Sequence, residues 1–269
     1  MTFRGASAEA LRVLAGELEA ALSAGGDAET TGHDLFAVAS VLRGEPQLRR
    51  IATDVSVAAS AKQRLVRGLL AGKVGDLTLG LVGDAVGRRW TATRDLADVL
   101  EHLGVVALVR SADADSQRLS DELFTVAELV RTHPELRDAL ADPARSVPDR
   151  RALLARLLDG KALPATVALA QQALSGSFRT VGAALESYQQ VAAEVHRQKI
   201  ATVRVAQPLG EGDRQRLTEA LARKYDREIH LNVVVDPSVI GGIRVEIGDE
   251  VIDGTVASRL DDARRKLAG

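Results

Sequence analysis

The chain has no cysteine, one methionine (the initiator) and only seven aromatic residues among 269. Without cysteine there are no disulfides, thiolate metal sites or sulfur nucleophiles, a composition that fits a reducing compartment. Proline is scarce as well, at seven residues, so long stretches run without a helix breaker. Charge of one sign is not in excess either: 35 Lys and Arg against 37 Asp and Glu leave −2. A whole-chain basic balance that would seek nucleic acid or anionic lipid is therefore excluded, though a local patch is not. No apolar run approaches the ~20 residues of a membrane span, since Lys73, Asp76 and Asp84 interrupt the best candidate. No h-region precedes Glu9, so no signal peptide is expected and the chain reads as soluble.

What is present is Ala, Leu and Val, with 46% of residues apolar. Such a core suits closely packed helices. The chain also repeats itself at an offset of 88 residues. Leu35-Phe36 faces Leu123-Phe124, Arg43 faces Arg131, Pro46 faces Pro134, Asp54 faces Asp142, and Gly72-Lys73 faces Gly160-Lys161. About 14 of the 39 positions from 35 to 73 are identical, and Trp90 coincides with Phe178.

Both copies read as helical bundles. Leu11, Leu14, Leu18 and Leu22 mark one face of a helix over about 7–24, and a second helix runs over 33–43. Leu119, Leu123, Val126 and Val130 repeat the spacing before Pro134. Ser146-Val147-Pro148-Asp149 is a capping box, with Leu153, Leu154, Leu157 and Leu158 expected on the buried face behind it. Pro164 suits a first helical position. Phe178, Val181, Leu185, Tyr188, Ala192 and Val195 predict one long apolar stripe, matched by Trp90, Ala97, Leu100 and Leu103 in the first copy. The Val105–Val109 run is read as helix. The period changes after Lys199: strands are expected at 200–205, 229–235, 243–247 and 251–252. A helix carrying Leu217, Leu221 and Tyr225 lies between the first two, and a last helix over 256–267 carries Val256, Leu260, Ala263 and Leu267. The predicted fold is mainly α: tandem bundles over 1–110 and 111–198, with the helix 94–110 open to sharing, then an α/β module over 199–269.

The screen for chemistry returns no catalytic, cofactor or metal site. Gly68 to Lys73 has three residues between its glycines and Val after Lys, so it is no phosphate loop and reads as a helix end. The five histidines are dispersed, and none sits in a ligand spacing. Ser175-Gly176-Ser177 reads as a helix–helix turn, and Arg88-Arg89-Trp90 with Arg94, the most basic spot, as a helix face.

The densest unusual stretch is Asp236-Pro237-Ser238-Val239-Ile240-Gly241-Gly242, then Gly248-Asp249-Glu250-Val251-Ile252-Asp253-Gly254-Thr255, then Arg259-Leu260. By residue chemistry Gly241-Gly242 permits positive φ at the start of a strand, Gly248-Asp249 suits a hairpin turn, and Asp253 can cap the last helix. The stretch resembles the C-terminal signature of the F-type ATP synthase delta subunit family, the bacterial counterpart of the oligomycin sensitivity conferral protein. That pattern runs D-P-S-x-I-G-G, G-D-x-x-I-D-G-[ST], R-L. Residues 119–200 resemble the family's N-terminal bundle, and residues 1–118 make this an extended form with a duplicated bundle.

The resemblance implies a non-catalytic stator subunit of the peripheral stalk without cofactor or metal, peripheral on the cytoplasmic face of the cell membrane. Its bundle would hold the N-terminal helices of alpha subunits and its C-terminal module the end of the b subunit. Asp236, Pro237, Ile240, Gly241, Gly242, Gly248, Asp249, Ile252, Asp253, Gly254 and Arg259 would be partner-binding or structural positions. Two rival readings stand beside it: a free-standing helical adaptor, and an enzyme built on the α/β module.

Overall fold

The computed structural model describes residues 3–196, 198–239, 241–248 and 250–253. The expected last helix, with Val256, Leu260, Ala263 and Leu267, lies outside them. Helices come first: α1 (Gly5–Ser23), α2 (Ala28–Gly44), α3 (Pro46–Thr53), α4 (Ala59–Leu70), α5 (Asp76–Gly87) and α6 (Asp95–Ser111). A short 3-10 turn, Asp113–Asp115, leads to α7 (Ser116–Thr132), α8 (Pro134–Ala141), α9 (Val147–Leu158), α10 (Pro164–Gln172) and α11 (Val181–Val195). Strand β1 (Lys199–Val205), helix α12 (Glu211–Tyr225), then β2 (Ile229–Val235), β3 (Ile243–Ile247) and β4 (Glu250–Asp253) complete the order.

The sequence repeat is a structural repeat. Shifted by 88 residues, α2, α3 and α4 coincide with α7, α8 and α9 at both ends, and α5 starts where α10 starts. The same shift carries α1 onto 93–111, which contains α6 and shares its C-terminal end. Helix α6 packs against α1, α2 and α5 on one side of the repeat and against α7 and α10 on the other. It is buried nearly all round, from Leu96 to Val109, which is why its β-branched Val105–Val109 run is helical: a fully enclosed helix needs no polar face. Where α6 crosses α2 the backbones come close. A Cβ on Gly32 would lie 2.6 Å from Leu108 Cγ, and one on Gly104 2.7 Å from the Phe36 ring, so both positions demand glycine.

Local signals start and stop the helices. Asp27 accepts the Thr30 amide at 3.0 Å to cap α2, and Ser146 accepts the Asp149 amide at 3.2 Å to cap α9. Pro46, Pro134 and Pro164 each open a helix, where the missing N–H costs nothing. Gly72 and Gly160 follow α4 and α9 at φ 71° and 65°, the left-handed helix end that argues against a phosphate loop.

Three expectations need correction. Phe178 and Trp90 do not belong to the stripes of α11 and α6 but precede those helices; Trp90 Nε1 turns back to donate to Ala85 O at 3.1 Å. Arg88 to Arg94 form a loop, not a helix face, with Arg88 Nη2 2.9 Å from Glu17 Oε1. On α9 only Leu154 and Leu158 are buried, while Leu157 is exposed; four leucines span more of the cylinder than the neighbouring helices cover.

Contacts divide the chain into two compact units, 1–192 and 193–269, so both helix sets belong to one unit. Leu14, Leu18, Leu35, Leu96, Leu100 and Leu103 anchor the core of the first half of the helical unit. In the second unit the sheet order is β2-β1-β3-β4. β1 and β2 are parallel, joined through α12, while β3 is antiparallel to both β1 and β4. Val203, Val205, Leu231, Val245 and Ile247 form its core with Leu221 of α12. Among the described residues no helix is long and apolar enough to cross a membrane.

Candidate functional site

The signature positions fall on a turn and a hairpin of the second unit. Asp236 directly follows β2, its amide donating to Val205 O at 2.8 Å. Its Oδ1 accepts from the Ser238 amide at 2.9 Å and the Ser238 hydroxyl at 2.6 Å, closing a side-chain turn around Pro237. Gly241 and Gly242 follow at φ 63° and 78°, a conformation that L side chains with a branched Cβ adopt only with strain. The two glycines turn the chain so that Ile243 enters β3 opposite Val205. Gly248, φ 57°, leaves β3 for the hairpin. Ile252 stands opposite Val245 and Asp253 opposite Arg244. Ile240, Asp249, Gly254 and Arg259 lie outside the described residues. The structure thus brings Asp236, Pro237, Gly241 and Gly242 into one connection between strands, and Gly248, Ile252 and Asp253 into the hairpin beside it.

Sequence reasoning missed a charged cluster that ties this hairpin to α12. Glu250 accepts from Lys224 Nζ at 2.7 Å and from Tyr225 OH at 2.7 Å, and Lys199 Nζ stands 4.8 Å above the Tyr225 ring. The Lys224 ammonium holds the Glu250 carboxyl below its ordinary range. Nothing short of tertiary structure brings residues 199, 225 and 250 together.

The helical unit contains a buried polar hub. Glu101 of α6 has no solvent exposure. It is ion-paired with Arg43 of α2, and accepts from the Ser177 amide at 3.0 Å and from Tyr188 OH of α11 at 2.9 Å. Arg43 also reaches Asp98 Oδ1 at 3.1 Å. Burial pushes the Asp98 carboxyl up against the pull of Arg43. Burial, reinforced by Glu101, pushes the Tyr188 phenol far above its ordinary range, so that it stays a donor. Phe178 packs edge-on against Tyr188, ring centroids 5.9 Å apart. The hub fastens α2 and α6 of the first repeat to α11 of the second. These contacts hold the helices in fixed orientations to one another. A cleft of about 470 Å³ beside it is lined by Phe3, Arg43, Arg49, Arg94, Asp98 and Phe178, among others.

Facing outward, the first repeat leaves large apolar side chains in solvent: Val41, Ile51, Val55, Leu65 and Leu69. The second leaves Leu157, which stands 88 residues after Leu69. Leu69 and Leu157 are thus the one pair of large apolar side chains exposed at matching places of the two repeats among the described residues.

The family model for the ATP synthase delta (OSCP) subunit matches residues 105–267. Relatives extend the similarity over the rest of the chain. ATP synthase subunit delta of a Nocardioides species is 56% identical over 269 residues, 100% of this chain and 98% of its own length. That of Kineococcus radiotolerans is 47% identical over 94% of this chain and 93% of its own. That of Streptomyces avermitilis is 39% identical, with both chains covered in full. Among solved structures, a chain of the Toxoplasma gondii mitochondrial ATP synthase hexamer matches at 21% identity and TM-score 0.33, over 61% of this chain and 95% of that one.

Proposed function

From the premise that this chain belongs to the ATP synthase delta (OSCP) subunit family, we propose that it ties the catalytic head of an F-type, proton-translocating ATP synthase to the b subunit of the peripheral stalk and resists rotor torque. It is a structural subunit of that complex, not a catalytic one. In this reading the helical bundles hold the N-terminal helices of alpha subunits and the 199–269 module holds the C-terminal end of b. The work is done on the cytoplasmic face of the membrane, which the chain reaches only through the complex.

The observation that carries the reading is the end-to-end match to subunit delta at 56% identity, the duplicated bundle included. The physical character of the molecule agrees with it. A stator transmits force by packing, which asks for apolar helix faces and rigid internal ties such as the Glu101 hub. The division into bundles over 1–110 and 111–198 and a module over 199–269 then becomes a division of labour, and the signature residues from Asp236 to Arg259 shape the module for b. Three measurements on the full chain test this. It should co-purify with the other ATP synthase subunits, bind synthetic peptides of the alpha N-terminus and of the b C-terminus, and give no heat on titration with ATP. Stoichiometric ATP binding at micromolar affinity, or failure to bind both peptides, would overturn it.

A further inference from the structure

We infer that Glu101 couples the two helical repeats: its one buried carboxylate, gripped by Arg43 of the first repeat and by Tyr188 and the Ser177 amide of the second, makes a displacement of α2 felt at α11. The inference goes beyond the assignment of alpha and b above and stands without it. Its basis is the double place of α6. A shift of 88 residues carries α1 onto 93–111 and carries α6 onto 183–199, over most of α11. Helix α6 is therefore the last helix of one repeat and the first of the next. It packs on α1, α2 and α5 and also on α7 and α10.

Glu101 is the group on this shared helix that answers to both sides. No part of it reaches solvent. Its Oε2 is ion-paired with Arg43 and accepts from the Ser177 amide at 3.0 Å, and its Oε1 accepts from Tyr188 OH at 2.9 Å. A Cβ at Gly176 would run into the same Oε1, so the backbone of the α10–α11 connection lies directly on the carboxylate. A carboxylate without water cannot replace a donor that leaves; it must move or change its hold on the donors that remain. Arg43 is the member with room to move. Its side chain is 21% exposed, it lines the cleft of about 470 Å³, and it also reaches Asp98 Oδ1 at 3.1 Å. Asp98 and Glu101 are neighbours on one helix face, which gives the guanidinium two arrangements: bridging both carboxylates, or resting on Asp98 alone. Only the first neutralises Glu101, and the position of α2 selects between them. Neither repeat holds a second copy of the device. Gln189 stands at the place of Glu101, Arg131 pairs with Glu128 of its own helix at 2.6 Å, and Leu100 stands at the place of Tyr188. In the stator reading, whatever loads one repeat is thereby felt by the other.

The test is native-state hydrogen exchange on the full chain, read separately for α2 and α11. Arg43→Lys keeps the charge but loses the fork that bridges two carboxylates. Tyr188→Phe keeps the ring and loses only the hydroxyl, so both variants preserve the core. Because hydrogen bonds to a buried charge are lost, Arg43→Lys should speed exchange in α11 as well as α2 at least about tenfold, and Tyr188→Phe should do the same in α2 as well as α11. With Glu101→Gln already in place, each change should act on its own helix only. Asp34→Ala, which removes a cap at Gly75 remote from the hub, should leave α11 rates as they are. An equal acceleration of α11 by Asp34→Ala would make the coupling a property of the whole fold and overturn the inference. So would cross effects that persist with Glu101→Gln, or that fail to appear with Glu101 intact.

Discussion

Glu101 has given up all hydration, and what stabilises its charge is the set of donors around it: Arg43, the Ser177 amide and Tyr188 OH. A buried carboxylate held this way is costly to lose from one side, because the partner left behind keeps its desolvation without its ion pair. Glu101→Gln should therefore destabilise the chain by about 3–5 kcal/mol in urea unfolding. Removing the arginine as well, in Arg43→Met with Glu101→Gln, should cost less than the two single changes together, the mark of direct coupling. The second repeat already has Gln189 at the place of Glu101, and its Arg131 turns to Glu128 of its own helix at 2.6 Å. Next to the hub, burial lowers the His102 imidazole from 6.5 to about 4. The unfolded imidazole takes up its proton first as pH falls, so between those values the unfolded state binds more protons and stability declines with acidity. The full loss is at most about 3 kcal/mol, and His102→Gln should flatten the pH dependence of urea unfolding between pH 6.5 and 4.

At the scale of elements, the repeat reuses a device that joins helices far apart in the chain. Asp34 of α2 accepts from the Gly75 amide at 2.7 Å and Thr78 Oγ1 at 3.2 Å, capping the start of α5. Glu122 of α7 accepts from the Leu163 amide at 2.8 Å and Thr166 Oγ1 at 2.6 Å, capping α10. All three positions are separated by 88 residues, and the carboxylate meets the positive end of each helix. Asp34→Ala and Glu122→Ala should each cost about 1 kcal/mol, with similar shifts in the urea midpoint. The helices themselves were legible, because 3.6-residue periodicity and prolines are local signals; the strand expected at 200–205 announced itself by alternation and is observed as 199–205, and that expected at 229–235 is observed with the same bounds. These caps and the Glu101 hub were not. Nothing in the surroundings of Asp34 or Arg43 marks a partner more than 40 residues away. Leu157 was misread for a related reason: periodicity reports which side of a helix is apolar, not how much of that side a neighbour covers.

For the whole molecule, the decisive property is that the helical unit and the sheet unit are separate compact bodies, with distinct clusters of buried residues. Net charge is a poor guide at this scale, since −2 overall conceals the basic run from Pro46 to Gly75. Separate cores make damage separable, and the glycine pair offers the means. Valine at Gly241 or Gly242 would have to adopt φ near 63° or 78°, a strain of about 1–3 kcal/mol for a β-branched residue. It can be relieved only by shifting the entry into β3 and hence its pairing with β1. In full-length Gly241→Val or Gly242→Val, amides of β1 and β3 should exchange hydrogen faster while those of α6 keep their protection. Under the stator reading, the affinity for the b-subunit peptide should fall and that for the alpha-subunit peptide should hold, and synthesis in the assembled complex should uncouple from proton flow. Unchanged exchange in both variants would mean that the pair is not what shapes this turn. Loss of alpha binding instead would reverse the assignment of partners to units, since a change confined to the sheet reaches only what the sheet holds.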